Sequence, residues 1–88
     1  MAYPAEVQAI ADNTDFVGYV VIDFDGIFGK TIDVTKAVAW ALERSRVKDL
    51  EEYVKVYRVF TWGKYSKIAG QRAIEEHDWN KSMRELMR

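Results

Sequence analysis

The spacing of apolar residues changes several times along the chain, and each change marks an element. Val7, Ile10 and Ala11 lie on one helical stripe behind Pro4, a residue tolerated in a first turn, and the polar run Asp12-Asn13-Thr14-Asp15 ends it. Residues 16–24 are then rich in Val, Ile and aromatics, Asp25-Gly26 interrupts them, and a second apolar run extends from Ile27 to Ile32. Two such runs around an Asp-Gly pair predict an antiparallel hairpin. Asp33 is placed to cap a helix reaching about Arg46, with Val34, Val38 and Leu42 on one face beside Ala37 and Ala41, and with Trp40 off that stripe. Residues 53–62 alternate β-branched or aromatic side chains with Lys55 and Arg58, which favours a strand, although Val47, Leu50, Val54 and Tyr57 would also suit a helix. From Lys64 to Arg88 helix formers dominate; Gly70 weakens the centre, and Asp78 can cap a separate last helix starting at Trp79. The expected fold is α+β: a small antiparallel sheet of about three strands, in the order α-β-β-α-β-α, with helices packed on at least one face.

Strand alternation sorts the side chains. With Asp25-Gly26 as a two-residue turn, Phe24 opposes Ile27, Asp23 opposes Phe28, Val21 opposes Lys30 and Tyr19 opposes Ile32. One face then carries Phe16, Val20, Ile22, Phe24 and Ile27 as the core, and the other carries Tyr19, Val21, Asp23, Phe28, Lys30 and Ile32. The third strand divides into Val54, Val56, Phe60 and Trp62 against Tyr53, Lys55, Tyr57, Val59 and Thr61. If both mixed sets point the same way, one sheet surface presents tyrosines, Phe28 and lysines. The competing expectation is a C-terminal helix lying over that surface, with the tyrosines as ordinary core.

Length and charge narrow the possibilities. Eighty-eight residues, 49% of them apolar, make a single compact domain spanning residues 1–88, small enough for self-association to be a route to added stability. Thirteen basic and fourteen acidic residues leave a formal charge of -1, which opposes duplex binding by broad phosphate neutralisation. There is no cysteine, and the first fifteen residues have neither the basic start nor the apolar core of a secretion signal. A cytoplasmic protein without a membrane span is the expectation.

The segment YVVIDFDGIF, residues 19–28, resembles the first motif of haloacid-dehalogenase-like phosphatases, an apolar strand ending in Asp-x-Asp-Gly. That resemblance implies Asp23 as nucleophile and Asp25 as acid and base; Ile27 departs from the family's Thr or Val, and 88 residues leave little space for its doubly wound sheet. Gly29-Lys30-Thr31 looks like the end of a P-loop, but Phe24 stands where the opening Gly belongs. Gly26-Ile27-Phe28-Gly29 is similar to the GxxG loop of KH domains, with an apolar variable pair and strand-like flanks as departures. Asp23, Asp25 and Asp33 are hard oxygen donors suited to Mg²⁺, yet each has a local role: turn former, helix cap, or diagonal partner of Lys30 in the case of Asp23. His77, between Glu76 and Asp78, reads as a solvated helical residue, and Ser45, Ser66 and Ser82 have no second motif beside them.

Residues 53–67 interleave aromatics with Lys55, Arg58, Lys64 and Lys67. Such a surface suits a protein partner, anchored by Tyr, Trp and Arg, or single-stranded RNA or DNA held by stacking. The acids Glu51 and Glu52 and the overall charge favour protein. The expected function is a small non-enzymatic interaction or regulatory module, of adaptor or inhibitor type, that binds a partner protein, with self-association as a further option. Its expected surface comprises Tyr19, Phe28, Lys30, Tyr53, Lys55, Tyr57, Arg58, Trp62 and Lys64, with no catalytic residue, metal ligand or cofactor assigned. Nucleic-acid binding through residues 53–67, and phosphate chemistry at Asp23 and Asp25, are the alternatives.

Overall fold

The computed structural model describes residues 3–48, 53–61 and 71–86. Helix α1 (Ala5–Asn13) leads into strands β1 (Gly18–Asp23) and β2 (Gly26–Thr31), helix α2 (Val34–Lys48), strands β3 (Lys55–Thr61) and β4 (Arg72–His77), and helix α3 (Trp79–Leu86). The strands form one antiparallel sheet in the order β2-β1-β3-β4. The chain is thus α+β, with β4 added to the three strands legible in its sequence. Arg72–His77 lies in the stretch expected to be helical; its Arg, Ala and Glu residues favour helix, but pairing with β3 along its whole length overrides that local preference. Ion pairs Arg58–Glu75 (2.9 Å) and Lys55–Glu76 (3.5 Å) reinforce the pairing.

Local chemistry sets the helix ends. The Pro4 carbonyl accepts from the Val7 and Gln8 amides, and the Thr14 hydroxyl and amide both donate to the Ile10 carbonyl, closing α1. Asp33 Oδ1 accepts the Thr35 amide at 2.9 Å, and Asp78 Oδ1 accepts the Lys81 amide at 3.0 Å, so both expected caps form.

Val20 and Val21 are adjacent on β1 and both have zero exposure. Neighbouring strand residues point to opposite faces, so the sheet is buried on both sides. On one face Val21, Val54 and Val56 pack with Ala37, Val38 and Ala41 of α2 and Trp79 of α3, whose indole Nε1 donates to the Val54 carbonyl at 3.2 Å. On the other, Val20, Tyr57 and Val59 pack with Val7 and Ala11 of α1. Val21, expected on an open face, is therefore core.

The hairpin also turns one residue earlier than expected. Asp23 pairs with Gly26, leaving Phe24 and Asp25 as the loop; Asp23 Oδ1 accepts the Asp25 amide at 2.8 Å, and Gly26 has φ 113°. The register shifts between Val21 and Ile22, so Phe28 is the extra residue of a bulge, after which Gly29 opposes Val21, Lys30 opposes Val20 and Thr31 opposes Tyr19. The expected pairs Val21 with Lys30 and Tyr19 with Ile32 are replaced, and Lys30 moves to the α1 side.

Gly18 is where β1 and the end of β2 come closest. A Cβ there would lie 2.6 Å from the Thr31 carbonyl oxygen and 2.8 Å from the Phe16 ring, and its φ is 157°. The Thr31 oxygen belongs to the backbone and cannot withdraw without disturbing β2. Gly18→Ala is expected to cost about 3 kcal/mol in urea unfolding, in the range of severe overpacking, whereas Ala39→Gly on exposed α2 should cost about 1 kcal/mol.

Candidate protein-interaction edge

The residues expected to share one surface are separated by the observed register. Tyr19 and Arg58 oppose each other on the face covered in part by α2 and α3, whereas Tyr57 opposes Val20 and lies on the α1 face together with Lys55 and Lys30. Tyr57 is only 8% exposed, with the Tyr3 ring edge-on at 5.6 Å. Tyr53 lies before β3 and meets the Phe24 ring at 5.9 Å. Trp62 and Lys64 fall outside the described residues. The single tyrosine-rich sheet face therefore does not form: β1–β3 pairing sets Tyr57 and Lys55 on the side opposite Tyr19, and the extra residue at Phe28 sends Lys30 to that opposite side as well.

A different surface gathers the exposed apolar side chains. Among the described residues β2 is bonded only to β1, which makes it an edge strand of the sheet. Ile27 and Phe28, each 40% exposed, sit on this strand; Phe24 (69%) and Tyr53 flank its turn, and Ile32 (81%) with Val17 flanks its other end. The opposite edge is different in kind: β4 carries Arg72, Glu75 and Glu76, which pair with Asp15, Arg58 and Lys55.

Beside β2, one flank of α2 presents Lys36, Trp40 and Arg44 at successive helical turns. Trp40 lies edge-on to Phe28 at 5.6 Å, directly over Gly29, whose absent Cβ would meet the indole at 3.0 Å. The Lys36 ammonium stands 5.1 Å from the Trp40 ring centre, and the Arg44 guanidinium 5.0 Å from that of Phe28. On the other side Lys30 stands 5.1 Å from the Phe16 ring. Lys36, Trp40 and Arg44 were not among the expected site residues, although their spacing of four is visible in the sequence.

Arg44 Nε donates to Asp23 Oδ2 at 2.6 Å, and the Asp23 side chain is only 4% exposed. Asp23 thus holds the turn with one oxygen and α2 with the other, in place of the expected link to Lys30. Removing it leaves the Asp25 amide and the guanidinium without this acceptor: Asp23→Ala is expected to cost about 3 kcal/mol in urea unfolding, and Asp23→Asn about half of that, because the amide oxygen still accepts from Asp25.

The remaining chemistry is scattered. Gly29-Lys30-Thr31 is extended strand, as is Gly26-Ile27-Phe28-Gly29. Among the described residues no group of three His, Asp or Glu converges as a metal site, and no helix is long and apolar enough to cross a membrane. His77 lies on β4, not on a helix, with Nε2 2.8 Å from the Ser82 hydroxyl and Tyr19 edge-on at 5.4 Å. Ser82 also lines a groove of about 210 Å³ between α2 and α3, with Val34, Thr35, Val38, Glu85 and Leu86. The α2 amides that could serve an oxyanion there, those of Thr35 and Lys36, already donate to Asp33.

Burial, reinforced by the nearby Glu76 and Tyr3, raises the Tyr57 phenol above its usual value of about 10. The unfolded chain then loses this proton first, so the stability it confers is complete below about pH 10 and lost as pH rises through the folded value. A pH series of unfolding free energies should fall above about pH 10, and Tyr57→Phe should flatten that fall.

No protein-family model, curated protein or solved structure matches the chain.

Proposed function

We propose that this protein is a small non-enzymatic interaction module that binds a partner protein along the open β2 edge. One observation carries the reading: exposed aromatic and aliphatic side chains gather on β2 and at both its ends, while the other edge strand, β4, carries charged side chains ion-paired with β3 and Asp15. Strand addition suits such an edge, since main-chain hydrogen bonds supply affinity and flanking side chains supply selectivity. Phe28 and Lys30 are retained from the sequence-based surface; Tyr57 is replaced by Ile27, Trp40 and Lys36. Action in the cytoplasm belongs to the same proposal, and a chain without cysteine does not need an oxidising compartment.

Affinity capture on the immobilised chain, with extract from the native host, tests it. A protein retained by wild type after nuclease treatment is expected to be lost with Ile27→Lys plus Ile32→Lys and kept with Gln71→Lys beside β4. Equal retention by all three chains counts against the β2 edge.

A further inference from the structure

We infer that the segment received by the β2 edge is an extended acidic peptide, an inference that rests on the protein-binding reading and specifies its partner. The argument starts from shape. β2 is six residues long, a span of about 20 Å, and an edge of alternating donors and acceptors is matched by another peptide backbone. Phosphate groups accept hydrogen bonds but donate none, so a nucleic-acid backbone does not reproduce the alternating amides and carbonyls of a peptide strand.

Charge then selects among peptides. An added strand would direct alternate side chains to the two sides of the sheet. On the α2 side they meet Phe28, Trp40, Lys36 and Arg44, and on the α1 side they meet Ile27, Phe16 and Lys30. Each side thus offers an apolar contact and a cation. Neither Lys30 nor Lys36 has a carboxylate partner among the described residues; both stand over rings instead. The acids nearby are largely committed, Asp23 to Arg44 and the turn, and Asp33 to the α2 amides, with Asp25 in the turn and Glu43 on exposed α2. Apolar residues interleaved with carboxylates are the complement of this arrangement.

The same charges oppose a second copy of the chain. Antiparallel pairing of β2 with its own copy across a two-fold axis would bring the two α2 flanks together, setting Lys36 of each copy against a flank that carries Lys36 and the Asp23-paired Arg44. Like charges so placed are repulsive, whereas an acidic strand is attracted.

Fluorescence anisotropy with the full chain tests this with three labelled probes: a peptide about eight residues long with glutamate interleaved among valine and leucine, its counterpart with lysine for glutamate, and an oligouridylate of about twelve nucleotides. The acidic peptide is expected to bind about ten-fold or more tightly than the lysine peptide. Lys30→Glu plus Lys36→Glu, both at exposed positions, should reverse that order while leaving the circular dichroism spectrum unchanged. Equal affinity for the two peptides, no acidic-peptide binding at about 1 mM, or tighter binding of oligouridylate overturns the inference. So does a stable dimer in sedimentation that Ile27→Lys dissociates. If the peptides fail to discriminate while capture from host extract still depends on Ile27 and Ile32, only the acidic preference falls; if that dependence is absent, the edge itself is the wrong surface.

Discussion

Burial of the β1–β3 pair on both faces is the constraint from which the architecture follows. Val20 and Val21 are neighbours on β1, point to opposite sides and are both fully enclosed, as are Val56 and Val59 on β3. Each side of the sheet therefore needs a helical layer, and a chain of 88 residues supplies a thin one: α1 on one side, α2 and α3 on the other. Such layers cover the centre of the sheet and leave its margins to solve their own exposure. The two margins do so differently. β4 uses ion pairs across the strands, whereas β2 uses rings partly screened by cations.

Asp23 shows how a sequence that looks chemical can be absorbed by structure. Its two oxygens serve the turn and Arg44, and Arg44 in turn lies over Phe28, which meets Trp40. A carboxylate, a guanidinium and two rings thus fix the hairpin against α2. This network also determines which groups remain available at the β2 edge: the guanidinium is committed, while Lys30 and Lys36 stand over rings with no carboxylate partner among the described residues. The proposed preference for acidic segments is a by-product of how the hairpin is fastened.

What could be read from the sequence was what depends on neighbours in the chain. Asp33 and Asp78 cap helices because a short side chain reaches amides two or three residues on, and the hairpin follows from two apolar runs around a turn. The misplaced features depend on distant partners. Arg72–His77 carries helix-forming residues and is a strand because β3 accepts it; the bulge at Phe28 slips the register by one and sends Lys30 to the other side. The run Val20-Val21-Ile22 is compatible with one buried face or two, and only the helices decide. As a result Phe28 and Lys30 were recognisable as surface residues, Tyr57 was mistaken for one, and the Lys36, Trp40 and Arg44 flank was visible in its spacing but not in its position beside β2.

Helix α1 has a consequence of its own. It is nine residues long, has no side-chain cap at Pro4, and encloses Val20, Tyr57 and Val59 chiefly through Val7 and Ala11, with Tyr3 against Tyr57. A helix that short does not persist in water by itself. Its detachment would lay bare half of the interior while leaving the four strands and the opposite helical layer paired. The molecule thus has a built-in seam between α1 and the sheet, along which one core can open while the other stays closed.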